Sequence, residues 1–128
     1  MSETIRTISK AEALAIHDAS LARFGGLPGV RDEGLLDSAV RQPSQSFGGQ
    51  ELYPTLDEKA ARLAYGLIKN HAFLDGNKRV GTACLGAMLR LNGREFRLGA
   101  AELLATMMGI ADGSVSYGAL VEWVRAQE

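Results

Sequence analysis

The 128-residue chain predicts an all-α domain, a helical bundle of about six helices, on three observations. Apolar residues recur at helical spacing on both sides of a polar break: Leu63, Ala64, Leu67 and Ile68 before it, and Val80, Ala83, Cys84, Ala87, Met88 and Leu91 after it. Two capping boxes, Ser9-Lys10-Ala11-Glu12 and Thr55-Leu56-Asp57-Glu58, mark helix starts, with the hydroxyl accepting at N3 and the glutamate reaching back. Gly25-Gly26, Pro43 and Asn92-Gly93 stand where such helices must stop.

Taken in order, Thr4–Ile8 is a short extended lead-in to a first helix that runs from the Ser9 cap to about Arg23. That helix is expected to bury Leu14, Ala15, Leu21 and Ala22. His17 lies inside it with no second metal-ligand type at suitable spacing, so it is expected at the surface or as a capped structural residue. Pro28-Gly29 sets a loop over Leu27–Arg31. Asp32 or a neighbour then caps a short helix to about Val40, carrying Leu35, Leu36, Ala39 and Val40. Gln42–Tyr53 is the longest weakly patterned stretch, rich in Gln, Ser and Gly; a loop of that length is either functional or mobile, or a plain surface connector.

The second capping box opens a helix ending at Asn70. The helix from Asn77 to about Leu91 contains Gly81 and Gly86. Glycine costs up to about 1 kcal/mol in a helix, so both point to close approach of another helix, or of a ligand near Gly81. Arg94–Leu98 alternates polar and apolar and is expected to be extended. Ala100–Gly109 forms a helix carrying Leu103, Leu104, Met107 and Met108, with the Met pair placed in the core. Ser116 caps a last helix to about Gln127, with Leu120, Val121 and Val124 inward and Trp123 at the core edge. No repeat, low-complexity tract or linker divides the chain, so residues 1–128 are expected to form a single domain.

Composition excludes several classes. Hydrophobic residues make up 46%, enough for one core, and charged residues 23%. The net charge of −1 and pI near 6.1 argue against general nucleic-acid binding, which leaves a basic stripe. The one cysteine, Cys84, lies on an apolar helix face and reads as buried filler. No signal peptide opens the chain and no apolar run could span a bilayer, so a soluble cytoplasmic protein is expected. There is no P-loop, dinucleotide fingerprint, kinase glycine loop, H-E-x-x-H or nucleophile elbow.

The chemistry concentrates in His71-Ala72-Phe73-Leu74-Asp75-Gly76-Asn77-Lys78-Arg79, at the break between two core-packed helices. Asp75-Gly76 is a turn signal, since glycine enters positive φ without a Cβ clash. The helix that restarts near Asn77 offers N–H groups without internal partners and the positive end of its dipole. Lys78 and Arg79 add two full charges, so the turn is suited to phosphate oxygens. Asp75 is a hard oxygen ligand that could hold Mg²⁺ against those phosphates. His71 is of the type that exchanges protons near neutral pH. Base, metal ligand and phosphate clamp together make a group-transfer site using a nucleotide. A solvated helix–helix loop is the bland alternative for each residue alone, but not for the set.

This stretch resembles the Fic/Doc family signature H-[PA]-F-x-[DE]-G-N-x-R, and Lys78 after the Asn resembles its Doc (death-on-curing) branch. Gly25-Gly26-Leu27-Pro28-Gly29-Val30-Arg31-Asp32-Glu33-Gly34-Leu35-Leu36-Asp37-Ser38-Ala39-Val40 and Tyr53-Pro54-Thr55-Leu56 are similar to Doc-type toxins as well, so the resemblance extends from the first helix to about Gly93. It implies His71 as general base on a target hydroxyl and Phe73 as an inward anchor of the loop. It implies Asp75 as Mg²⁺ ligand, the Gly76 and Asn77 backbone around the phosphates of ATP, and Lys78 and Arg79 as charge neutralisers. It also implies a flap that aligns the target peptide, assigned to Ser46–Leu52 (Ser46, Phe47, Gly48 and Gly49 foremost, with Phe47 as anchor).

The family divides by chemistry. Most Fic enzymes transfer AMP and carry Gly where this chain has Lys78 and a second Arg where it has Thr82. Doc-type toxins transfer the γ-phosphate, and elongation factor Tu is the target that the resemblance implies, with translation blocked. Lys fills space that Gly leaves open, and loss of the second Arg removes a bidentate phosphate fork. Adenylyl transfer is the alternative chemistry; a non-catalytic partner-binding module and, more remotely, a DNA-binding helical domain are the rivals from other classes. No Ser or Thr begins the [ST]-x-x-x-E-[GN] motif with which many Fic proteins silence themselves, so restraint is expected from an antitoxin in trans.

Overall fold

The computed structural model describes residues 4–95 and 100–127. It contains six helices: α1 (Lys10–Phe24), α2 (Glu33–Arg41), α3 (Leu56–Asn70), α4 (Asn77–Leu91), α5 (Ala100–Asp112) and α6 (Tyr117–Ala126). Both capping boxes form, at Ser9 and Thr55, and Asp32 and Ser116 cap α2 and α6 through their side chains. These starts coincide with the expected ones because each is dictated within one turn of helix.

The α3–α4 pair is the centre. α2, α5 and α6 pack on α3, while α1 and α5 pack on α4. One apolar core joins residues from Ile8 to Val124, with Leu63, Leu67, Leu85, Met88 and Leu89 at its middle. Gly81 explains the closeness of the central pair: a Cβ there would stand 2.6 Å from Ile68 Cγ1. Helix approach, not a ligand, accounts for that glycine. Gly86 differs, since the atoms nearest to a Cβ there belong to the Arg90 side chain of its own helix. Cys84 is fully buried, and burial pushes its thiol up to about 12, so it is inert filler.

Several burial expectations fail for tertiary reasons. In α1, Ala15 and Ala22 are exposed, while Ala13 and His17 are the buried residues. Met107 is core but Met108 is 51% exposed, because only one face of α5 meets α3 and α4. The Gln42–Tyr53 stretch is ordered: a 3-10 turn (Gln42–Ser44) leads to a two-stranded antiparallel hairpin, β1 (Ser46–Phe47) and β2 (Gln50–Glu51), turning at Gly48-Gly49. The buried Lys59 amine holds its base, donating to the Pro43 carbonyl at 3.0 Å and pairing with the Glu51 carboxylate at 2.7 Å. The expected extended segment Arg94–Leu98 passes out of the described residues after Glu95.

Candidate functional site

α3 ends at Asn70, and His71 closes it in the left-handed conformation (φ 51°, ψ 49°). It is the one non-glycine residue at positive φ among the described residues, a state that costs about 1 kcal/mol for an L-residue. Arg31 offsets that cost. Its Nε donates to the His71 carbonyl at 2.7 Å and its second guanidinium nitrogen to the Asn70 carbonyl at 3.0 Å. The Arg31 and Asp32 N–H groups both donate to the Ala72 carbonyl, Leu74 N–H donates to the Gly29 carbonyl, and Val30 forms a β-bridge with Phe73. The loop before α2 is thus the scaffold on which the turn is laid.

Inside the turn, Phe73 is fully buried. Asn77 is 4% exposed; its amide closes a reciprocal pair with the Phe73 backbone, accepting from Phe73 N–H and donating to Phe73 C=O, both at 3.0 Å. Asn77 therefore has a role that its sequence position did not announce: its side chain locks the loop, and only its backbone N–H is left for a ligand. Gly76 is the N-cap of α4 at φ 77°, and no side chain caps the helix there. The first intrahelical bond is Val80 N–H to the Gly76 carbonyl, so the N–H groups of Asn77, Lys78 and Arg79 have no acceptor within the helix.

Asp75 is held from both sides, with Leu27 N–H donating to Oδ2 at 3.1 Å and Gly76 N–H to Oδ1 at 2.8 Å. Those two donors, with a smaller contribution from Arg79, hold its carboxyl below the usual carboxylate range. A depressed pKa contributes stability above the ordinary carboxylate pKa and loses it only as pH falls through the lowered value; the turn is therefore charged and intact at neutral and mildly acidic pH. Gly26 is required beside it: at φ 121°, a Cβ there would come within 2.8 Å of Asp75 Oδ2.

His71, Asp75, Gly76, Asn77, Lys78 and Arg79 line one cavity of 320 Å³, closed by Leu74 and by Leu104 of α5. His71, Asp75, Lys78 and Arg79 are exposed in it. The cavity shares Lys78, Arg79 and Leu104 with an apolar groove of 280 Å³ formed by Phe24, Thr82, Ala83, Leu103 and Met107, and the Arg79 guanidinium lies 4.7 Å from the Phe24 ring centroid. Thr82 donates its hydroxyl to the Lys78 carbonyl and places no second cation there.

The hairpin residues Ser46, Phe47, Gly48 and Gly49 are exposed and do not line this cavity. Their anchor Lys59 precedes His71 on α3 by a span of about 18 Å at 1.5 Å per residue.

A carboxylate accepts at about four lone-pair positions, so Asp75 keeps free positions for a cation beside its two N–H partners. Among the described residues no group of three or more His, Cys, Asp or Glu could hold a metal. Mg²⁺ commonly takes one or two carboxylates and completes its shell with substrate phosphates and water, and Asp75 could supply one such carboxylate. Among the described residues no helix is long and apolar enough to cross a membrane.

Fold and site together define an all-helical domain whose polar turn, lined by two cations and the uncapped start of α4, lies between its two core helices. Residues 7–89 match the Fic/DOC family, and the chain belongs to the Fic/Doc family. It is 31% identical over 121 residues to the Protein kinase doc of Escherichia phage P1, covering 94% of each chain. It is 49% identical over 70 residues to the Toxin Doc of Mycolicibacterium smegmatis, covering 55% of this chain and 54% of that protein. The match thus spans about half the length of the latter relative.

Proposed function

We propose that this protein is a Doc-type toxin: a phosphotransferase that moves the γ-phosphate of ATP to a hydroxyl of a protein target. The supporting observation is the single cavity that gathers an exposed His71, an ionised Asp75, the uncapped N-terminus of α4 and two cations. In this reading His71 takes the proton of the target hydroxyl. The freed oxygen bonds to the γ-phosphorus as the bond to the bridging oxygen breaks, and ADP leaves. The backbone N–H groups of Asn77, Lys78 and Arg79, with the Lys78 and Arg79 side chains, bear the phosphate charge. Asp75 would hold Mg²⁺, which supplies charge neutralisation when bound.

The target is proposed to be elongation factor Tu, with arrest of translation in the cytoplasm. The exposed edge of the β1–β2 hairpin suits an extended target peptide, which would pair with it as an added strand, and Phe47, 83% exposed, would be its anchor. The restraining partner is an antitoxin in trans. Expression of the chain alone is expected to arrest growth, and co-expression of its antitoxin to restore it. Harmless expression of active protein would remove the toxin role.

Which phosphorus moves is decided by two labelling reactions on one target. γ-Labelled ATP is expected to mark it and α-labelled ATP to leave it blank; label from the α position makes the enzyme an adenylyltransferase. Lys78→Gly is expected to lose γ-transfer while retaining Mg·ATP binding, because the N–H donors remain. Wild-type behaviour of that variant would reduce Lys78 to a solvated neighbour of Arg79.

Asp75→Asn tests the metal. The amide keeps one acceptor oxygen but turns an NH₂ toward one of the two N–H donors now satisfied, and it loses the charge. Transfer is expected to fall by more than the about 10–100-fold that loss of a partner supporting a metal ligand costs, with the Mg²⁺ requirement shifted upward. An unchanged Mg²⁺ titration takes Asp75 out of the metal site.

A further inference from the structure

His17 has no part in the roles above, and it does not line the cavity. It is nevertheless 3% exposed, and its ring lies beneath the turn. The imidazole stacks on Phe73 with centroids 3.8 Å apart and 14° between planes. Its Nε2 is 2.8 Å from the Asp75 carbonyl oxygen. A carbonyl only accepts, so Nε2 carries the hydrogen and donates it. The same atom is 3.7 Å from where a Cβ on Gly76 would stand.

The Asp75–Gly76 peptide is therefore held at both ends. His17 holds its carbonyl, and the Asp75 carboxylate holds its N–H. This peptide enters the N-cap of α4, so its plane sets the direction in which the first N–H groups of that helix leave the turn. Gly76 does not restrict it, because glycine visits both hands of φ at little cost. A rotated peptide would carry its N–H away from Asp75 and strip one of the two donors that hold the carboxylate. The hydrogen bond from α1 blocks that rotation, from 58 residues away in sequence.

We propose that His17 is a positioning residue for the anion-binding turn. Through the Asp75 carbonyl it sets the Asp75–Gly76 peptide, and with it the Asp75 carboxylate and the phosphate-facing N–H groups of α4. The consequence for catalysis rests on the nucleotide reading of the cavity; the consequence for the turn itself does not.

The test compares His17→Phe, which keeps an aromatic ring on Phe73 but donates nothing, with His17→Gln, whose amide reaches the position of Nε2. Amide hydrogen exchange at Phe73, Leu74 and Gly76, the turn N–H groups that have acceptors, reports the turn, and calorimetry with Mg·ATP reports the site. The Phe variant is expected to keep a cooperative melt, exchange the turn amides about tenfold faster and bind Mg·ATP about 10–100-fold more weakly, the usual scale for losing a supporting partner. The Gln variant is expected to recover most of both. If the Phe variant does not fold, His17→Asn replaces it, because its amide stops short of the Asp75 carbonyl. Wild-type exchange in the turn of the folded Phe or Asn variant overturns the proposal, as does a Gln variant no better than either. If wild-type protein itself binds no Mg·ATP, the nucleotide reading fails, and the exchange comparison alone still decides the role of His17.

Discussion

His71→Ala is expected to reduce phosphoryl transfer by a factor of about 10²–10⁴, the range that a general base contributes, while the melting temperature stays near that of wild type. The two halves of that expectation have separate origins. His71 is exposed at the mouth of the cavity, so truncating it removes little packing. Its backbone is left-handed and held by Arg31; alanine enters that conformation less readily than histidine, so a small loss of stability is all that is expected there. Binding of Mg·ATP should be unchanged, because the phosphate donors belong to α4. A rate within a few-fold of wild type on the same target would remove His71 from the role of base.

Asn77→Ala is expected to act through the fold. The side chain is the buried partner of both polar groups of the Phe73 peptide unit. Leaving a buried donor and a buried acceptor without partners costs about 1–3 kcal/mol each. The loss of stability should therefore be about 2–6 kcal/mol, a large share of what a domain of this size has. Phe73 would lose its fixed place beneath the turn, and Mg·ATP binding should fall with it. Asn77→Asp separates the two effects. It can still accept from Phe73 N–H, so its melting point should lie between those of wild type and the Ala variant. It also sets a carboxylate oxygen against the Phe73 carbonyl, where the amide now donates, so the loop stays loosened and nucleotide binding should weaken in either case. Denaturant unfolding and calorimetry on the two variants check this; an Ala variant as stable as wild type would mean that the loop is held without Asn77.

The Asn77 result shows how site chemistry divides between what can be read locally and what cannot. The H-A-F-L-D-G-N-K-R stretch announces an anion turn through residue types and through Gly76, and the structure gathers His71, Asp75, Gly76, Asn77, Lys78 and Arg79 around one cavity. It does not announce that the Asn77 amide faces back into the loop. The signal available was the four-residue spacing from Phe73, one helical turn, but that spacing acquires meaning only once the loop is known to fold over the start of α4.

His17 is the sharper case. A histidine inside a helix, without a second ligand nearby, reads as surface or as a capped structural residue; it is buried between α1 and the turn, bonded to the Asp75 carbonyl. Leu104 and Phe24 were likewise unremarkable apolar residues, and they wall the cavity and its neighbouring groove. The Gln42–Tyr53 stretch hid a hairpin because its strands are two residues each, too short for alternation to register, and because Lys59 secures them from another element.

The sequence by itself determined the helix starts and stops, the apolar faces of α3 and α4, and the parts of the anion turn. Each of these depends on interactions within one helical turn or one tight loop, where neighbouring residues suffice. Only the tertiary structure decided what holds the turn: Arg31 on the His71 carbonyl, Leu27 N–H on the Asp75 carboxylate and His17 on the Asp75 carbonyl, from separations of 40, 48 and 58 residues. Such contacts leave no periodicity in the chain. They exist because α1 packs on α4, and because the loop entering α2 pairs with the turn, an outcome of core burial that no local pattern specifies.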